Sequence, residues 1–345
     1  MSTTEDLATL TPVPLMQLAT GFWAFKTLAA ANELDLFTRL AFGRPEITAE
    51  EFAGELGIQQ RPAQLLLTAC ASLGLLERGE RGYRNTPLSE RFLVRGTPYY
   101  FGGLVTMFDR RLYPGWGKLT QAIRTNRPTT WDPQRQRSLF EGEDPAVLQT
   151  FWEAMHSISG FTARALGNAV DLDSARRLLD VGGGSGAFAI ELCRQYPSLC
   201  ATVFDLPFVI DLASDKIADA DLRDRIGTHG GDFFVDSLPG GHDVHLYSMI
   251  LHDWNEQRDR LLLRKSFEAL PGGGLVIISE LLVDNDKAGP PAAALMSLNM
   301  LVETEGCNYT ASEYRVWLED AGFVQPRTVR FDAPGANGAV IARKP

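Results

Sequence analysis

His252 closes the apolar run Met249-Ile250-Leu251 and opens the tripeptide His252-Asp253-Trp254. The apolar letters read as the end of a buried strand, so an imidazole stands where the core stops. Histidine ordinarily titrates near ~6.5, which suits it to accept a proton near neutrality. A histidine base needs a group to hold its tautomer, and Glu280 ends the next strand, 28 residues on, at the same edge of the sheet. Other readings stand beside this one: a satisfied core or capping histidine, and a metal ligand with His242, Asp243 and His245. Strand positions 242 and 245 point to opposite faces, which frustrates chelation, so no metal is expected.

The second group of residues is "LLDVGGGSGAFA", which sets Gly182, Gly184 and Gly186 directly after an apolar strand. Glycines let the backbone turn sharply and approach a ligand, with the next helix N-terminus aimed at it. The loop fits the G-x-G-x-G of S-adenosylmethionine (SAM) enzymes, and with Ala187 also a dinucleotide G-x-G-x-x-A. Carboxylates separate the two. Asp180, two residues before the first glycine, suits an amino group and would repel a pyrophosphate. Asp205 ends the second strand and can accept both ribose hydroxyls. Asp232 follows the third strand and can accept from an adenine amino group, with Phe233 covering the ring. These aspartates could instead cap the helices that follow; three of them at three consecutive strand ends favour a ligand, and the ligand is SAM.

From Arg177 onward strands and helices alternate: "RRLLDV", "CATVFD", "IGTHGG", "DVHLYSMIL" and "GGLVIISELL" are strands, and Ala187–Tyr196 and Glu256–Leu270 are helices between them. That is the pattern of a doubly wound parallel sheet, an α/β Rossmann-like fold. "RTVRFD" and "GAVIARK", only a few residues apart, read as an antiparallel hairpin at the sheet edge. Upstream, residues 15–40 are helical, with Leu15, Leu18, Phe22, Phe25 and Leu28 on one face that suits a second subunit. Thr48 with Glu51 reads as a capping box, Gly57 as a break, Arg61–Leu75 as a second helix and "LLERGERGYRNT" as a wing turning at Gly79 and Gly82. Three regions follow: a winged-helix-like dimerisation domain (1–100), a helical connector (101–175) interrupted at Pro114, Pro128, Pro133 and Pro145, and a SAM-binding domain (176–345).

A winged helix raises the possibility of DNA binding, and Glu77–Arg95 holds five Arg against three Glu. The whole chain carries 33 Lys and Arg against 43 Asp and Glu, a net charge of −10, which argues against nucleic acid as a partner. No apolar stretch approaches the roughly 20 residues that cross a bilayer, so no membrane is expected. Met1–Leu10 carries acids and not a basic leader, and the four cysteines show no ligand spacing. Both observations point to a cytoplasmic protein.

The motifs "LDVGGGSG", "FDLP", "GDFF", "LHDW", "PGGGLVIISE" and "SLNMLVETEG" occur in the order and spacing of the small-molecule O-methyltransferases. The chain resembles the plant caffeic acid and, more nearly, the acetylserotonin O-methyltransferases, from about residue 15 to the end and including "YRNTPLSE" of the wing. The resemblance implies a homodimer through the N-terminal domain and SAM contacts at the Gly182–Gly186 loop, Asp205, Asp232, Phe233, Met155 and Ser159. It also implies an acid at Glu280 flanking His252. Ser248 occupies the place where relatives carry Lys or Arg beside the cofactor, and Trp254 flanks that cavity. Relatives often have a second acid where this chain has Asn308, which orients but carries no charge; nearby Glu305 can compensate. In the acetylserotonin enzymes an Asn and a Gln of the "SLNMLVQTEG" helix line the acceptor pocket. Here they match Asn299 and Glu303, on one helical face as are Met296 and Met300. Glu303 would receive a cationic group such as an amine, or else face solvent. Phe101, Met107, Phe108, Tyr113 and Trp116 supply candidate apolar walls.

The expected activity is SAM-dependent methylation of a small phenolic metabolite of secondary metabolism, on oxygen, with His252 as general base. Methylation of ring carbon beside a phenol, or of nitrogen, needs the same cofactor site and stays open. From other classes, a non-catalytic winged-helix ligand sensor and a nicotinamide oxidoreductase remain as alternatives.

Overall fold

A computed structural model of the chain describes residues 11–132, 134–135 and 145–345; Met1–Leu10 and Pro133 lie outside them. The chain divides into two compact units, up to Arg110 and from Arg111.

The first unit contains α1 (Val13–Glu33), α2 (Leu36–Phe42), α3 (Ala49–Leu56), α4 (Gln60–Ser72), the strands β1 (Leu76–Arg78) and β2 (Tyr83–Asn85), α5 (Pro87–Phe92) and α6 (Gly102–Met107). The long helix read over 15–40 is two helices, because Asp35 adopts a left-handed conformation between them. Thr48 and Glu51 form the capping box, and Gly57 ends α3 in the left-handed region. β1 and β2 pair antiparallel as the wing, closed by the Gly79 amide on the Gly82 carbonyl at 2.9 Å. Leu36, Phe37, Phe52, Leu67 and Cys70 form the core. Along α1, however, Leu15, Met16, Leu18, Phe22 and Trp23 are exposed.

The second unit begins with α7 (Tyr113–Trp116), α8 (Leu119–Thr125) and α9 (Pro145–Ala169). The repeat of strand and helix follows: β3 (Arg177–Val181), α10 (Ala187–Gln195), β4 (Cys200–Asp205), α11 (Pro207–Asp219), β5 (Ile226–Gly230), β6 (Val244–Ser248), α12 (Glu256–Ala269), β7 (Leu275–Glu280) and α13 (Pro291–Glu303). It ends with α14 (Ala311–Asp320), β8 (Val324–Arg330) and β9 (Gly338–Arg343). The seven strands lie in the order β5-β4-β3-β6-β7-β9-β8. β3 to β7 run parallel, and β9 is inserted antiparallel between β7 and the edge strand β8.

The central strands β3, β6 and β7 are buried on both faces, and period two sorts them. Leu178, Leu246 and Ile277 join Leu166, Phe188 and Leu192 on one side; Leu179, Tyr247 and Ile278 join Leu262, Trp317 and Leu318 on the other. Helices therefore cover both faces of the sheet, as parallel strands require. Strand order reverses at β3, flanked by β4 and β6, and the crevice at its C-terminal end is where such sheets receive ligands. Among the described residues no helix is long and apolar enough to cross a membrane.

Candidate active site

The Gly loop leaves β3 with Gly182, Gly184 and Gly186 at φ of 71°, 56° and 75°. At Gly182 a β-carbon would stand 2.6 Å from Ile250 Cδ1, and at Gly184 3.2 Å from the Trp152 ring. Both conformation and space thus call for glycine. The Gly184 amide donates to Asp205 Oδ2 at 2.8 Å and the Leu206 amide to Oδ1 at 2.7 Å, which aims that carboxylate over the loop. Two amides do not exhaust a carboxylate's roughly four acceptor positions. Asp180 lies buried beneath Gly183 and its Oδ2 has no hydrogen-bond partner. Burial pushes its carboxyl up to about 7, against the amide of Ala189, with Asp205 adding to the rise.

Asp232 receives the Phe234 amide on Oδ1 at 2.8 Å. Its loop is held from α12: Lys265 Nζ donates to the carbonyls of Phe233, Phe234 and Asp236 at 2.7–2.9 Å. Phe233, Phe234 and Trp254 meet edge to face, and Arg258 lies over the rings of Phe234 and Trp254. Met155 and Ser159 are half-buried on α9. Two α9 residues that no motif marks lie against the loop: Trp152 over Gly184, and His156, whose Nδ1 is 2.8 Å from Ser185 Oγ.

β6 turns towards His252 through Met249, at φ 57° a left-handed non-glycine residue. Such a conformation costs about 1–3 kcal/mol and persists where surrounding contacts over-determine it. Those contacts come from Glu280. Its Oε1 accepts the amides of Ile250 and Leu251 at 3.0 and 3.1 Å, and its Oε2 accepts from His252 Nδ1 at 2.6 Å. One buried carboxylate therefore fixes both the turn Leu251–Asp253 and the imidazole, leaving Nε2 as the ring's acceptor. Burial presses the His252 pKa down, but the charges of Glu280 and Asp253 outweigh it, and the imidazole is pushed up to about 9. Asp253, 3.7 Å from Nε2, is a second acid beside the ring; it lies within the "LHDW" motif but was not among the expected site residues. The other two histidines weighed as ligands are engaged elsewhere, His242 with Thr202 and His245 with Ser266.

The residues expected on the acceptor side divide. Asn308 donates through Nδ2 to the Leu281 carbonyl at 2.9 Å, steadying the chain next to Glu280, while its Oδ1 is buried without a partner. Glu305 pairs with Arg258 Nε at 3.2 Å. Met296 packs with Leu281 and Val283. Asn299 accepts from Trp116 Nε1 at 2.8 Å. Glu303 does not face solvent: the cation it meets is the chain's own Arg111, whose Nε is 3.3 Å from Oε1. Tyr113 also belongs to this unit, whereas Phe101, Met107 and Phe108 belong to the first.

This edge fits a cationic, ribose-bearing cofactor. Carboxylates lead from three strand ends, one keeps an unpartnered buried oxygen, and the hydroxyl of Ser248 and the Nε1 of Trp254 are likewise buried without partners. A phosphate-bearing dinucleotide would meet the acids unfavourably.

Comparison with known proteins agrees. A family model for the O-methyltransferase domain matches residues 116–324, and one for the O-methyltransferase dimerisation domain matches residues 16–95. The 3-hydroxy-5-methyl-1-naphthoate 3-O-methyltransferase of Streptomyces sahachiroi is 53% identical over 96% of this chain and 95% of its own length. The acetylserotonin O-methyltransferase of Bos taurus is 35% identical over 96% of this chain and 97% of its own. The solved structure of human N-acetylserotonin methyltransferase with SAM superposes with a TM-score of 0.86 at 32% identity, covering 100% of this chain and 99% of that one. The choice left open by the Gly loop thus falls to SAM. The chain belongs to the O-methyltransferase family and is an S-adenosylmethionine-dependent methyltransferase.

Proposed function

We propose that the protein methylates a phenolic oxygen of a small polycyclic aromatic acid of the hydroxynaphthoate kind, with His252 as general base and Glu280 as the residue that orients it. The observation that carries this reading is the 2.6 Å contact of His252 Nδ1 with Glu280. The identity with the Streptomyces sahachiroi naphthoate enzyme supports the acceptor class.

When bound, SAM supplies a methyl group on a sulfonium that departs as a neutral thioether, so the protein's task is to prepare the nucleophile. A phenol ionises near ~10, and an ordinary imidazole near ~6.5 accepts its proton only uphill. Raised to about 9, His252 is nearly matched to the phenol, and transfer to Nε2 becomes almost level. Glu280 holds the tautomer and balances the imidazolium that forms. In this reading the Gly182–Gly186 loop, Asp180, Asp205, Asp232, Phe233, Ser248, Trp254, Met155 and Ser159 hold the cofactor. Asn299, Met296 and Asn308 line the acceptor side, with Glu303 behind them on its own cation, Arg111. The exposed apolar residues of α1 pair two copies as a homodimer, working in the cytoplasm.

Incubation with methyl-labelled SAM and a panel of hydroxynaphthoates, naphthols and hydroxyindoles, with NMR of the products, tests this. Label on the oxygen of a hydroxynaphthoate is expected; label on carbon or nitrogen, or turnover of hydroxyindoles alone, overturns it. The cofactor half is tested separately with Gly182→Val. The new side chain collides with Ile250 and disfavours the left-handed turn, so affinity for S-adenosylhomocysteine should fall about tenfold or more by calorimetry. Unchanged affinity would remove the loop from the cofactor site.

A further inference from the structure

We infer that Arg111, held by Glu303, is the residue that recognises a carboxylate on the acceptor, so that the enzyme prefers aromatic hydroxy acids to neutral phenols. This deepens the function proposed above and rests on it for the placement of the acceptor beside His252.

Arg111 and Glu303 form an ion pair whose side chains are only 12% and 13% exposed. Removing two charges from water carries a large desolvation cost, so a pair this deep is poor evidence of a purely stabilising role. Glu303 is also not waiting for a ligand. Its Oε1 faces Arg111 and its Oε2 lies 3.4 Å from Asn299 Nδ2, one helical turn earlier on α13. Trp131 Nε1 donates to the Glu303 carbonyl at 2.7 Å and pins the helix end. The carboxylate therefore orients, and the guanidinium is what it orients.

The pair stands on the acceptor side of the base. α13 packs against the turn Leu251–Asp253. Just beyond the helix, Gly306 comes so close to that turn that a β-carbon on it would lie 2.2 Å from the His252 carbonyl oxygen. Burial raises the Glu303 carboxyl, Arg111 pulls it back, and the charge of Asp253 adds to the rise. Around His252 the acids Glu280, Asp253 and Glu303 would repel an anionic substrate. Arg111 sets a cation among them. Its planar fork offers five donors and engages a carboxylate through two parallel hydrogen bonds, a geometry that a neutral phenol cannot use.

The test compares 3-hydroxy-1-naphthoate with 2-naphthol, and adds calorimetric binding of 1-naphthoate, which has no hydroxyl, in the presence of S-adenosylhomocysteine. Arg111→Met should raise KM for the acid about 30-fold or more and weaken 1-naphthoate binding to match, while 2-naphthol changes by about twofold or less. Arg111→Lys keeps the charge without the fork and should recover part of the loss; it also serves if the methionine variant does not fold. Equal losses on acid and naphthol, a loss confined to kcat, or a wild-type preference for the naphthol would overturn the assignment. Arg111-dependent binding of 1-naphthoate without turnover of any hydroxynaphthoate would uphold it and overturn the function proposed above.

Discussion

Replacing His252 by alanine is expected to lower kcat by about two to four decades, with S-adenosylhomocysteine affinity within about twofold of wild type. In the mechanism proposed above the imidazole is the proton acceptor, and its Nδ1 is committed to the Glu280 carboxylate at 2.6 Å. Proximity of acceptor and methyl group survives the substitution, which is why the loss is bounded. The variant leaves Glu280, 1% exposed, with the amides of Ile250 and Leu251 but without its cationic partner. A lower melting temperature is therefore expected, and single-turnover rates measured well below the variant's unfolding transition separate chemistry from unfolding. A loss below threefold would mean that positioning alone drives the reaction.

Glu280→Gln moves the pH profile as well as its height. In the wild type, burial lowers the His252 pKa, but the charges of Glu280 and Asp253 overcome it and lift the ring to about 9. Activity needs the neutral ring, so kcat/KM should climb with pH and level off near 9. With glutamine the acid's charge is gone and burial acts more freely, so the imidazole falls and the plateau begins at lower pH. The plateau itself drops by about one to three decades, because a weaker base with a less certain tautomer faces the phenol. The loss is thus largest near pH 9 and smallest near pH 6. Stability follows the same pairing. A folded-state pKa above about 6.5 stabilises the native protein fully below about 6.5, and that contribution disappears as pH rises through about 9. The wild-type melting temperature should accordingly fall towards the variant's in alkaline buffer. A profile that does not move would break the proposed link between Glu280 and His252.

Much of the second unit was legible because its letters obey local rules. The period-two burial of Leu178 and Leu179, the left-handed glycines of the loop and the strand-end acids are each set by a few neighbouring residues. The edge hairpin was legible too, although its position, with β9 between β7 and β8, depends on pairing across the sheet. Among pairings between distant residues, His252 with Glu280 was legible because both end neighbouring strands, but others were not. Arg111 and Glu303 are far apart in sequence, and nothing in "DRRLYPGW" marks one arginine as the partner of an acid on α13. Trp152 and His156 share a helix with the expected Met155 and Ser159, and which face meets the Gly loop depends on the rotation of that helix. In the first unit, Asp35 splits a continuous apolar pattern by its backbone conformation alone.

One helix, α12, grips three things at once. Lys265 holds the carbonyls of Phe233, Phe234 and Asp236, Arg258 covers Trp254 and Phe234, and Ser266 meets His245 and Tyr247 of β6. The turn that carries His252 runs straight into the same helix. Any substitution that shifts α12 therefore disturbs the Asp232–Phe234 loop and the His252 turn together. Glu303, which holds Arg111, hangs instead from α13. The residue that holds Arg111 thus sits on a different helix from those that hold the Asp232–Phe234 loop, so the two sides of the site are anchored separately.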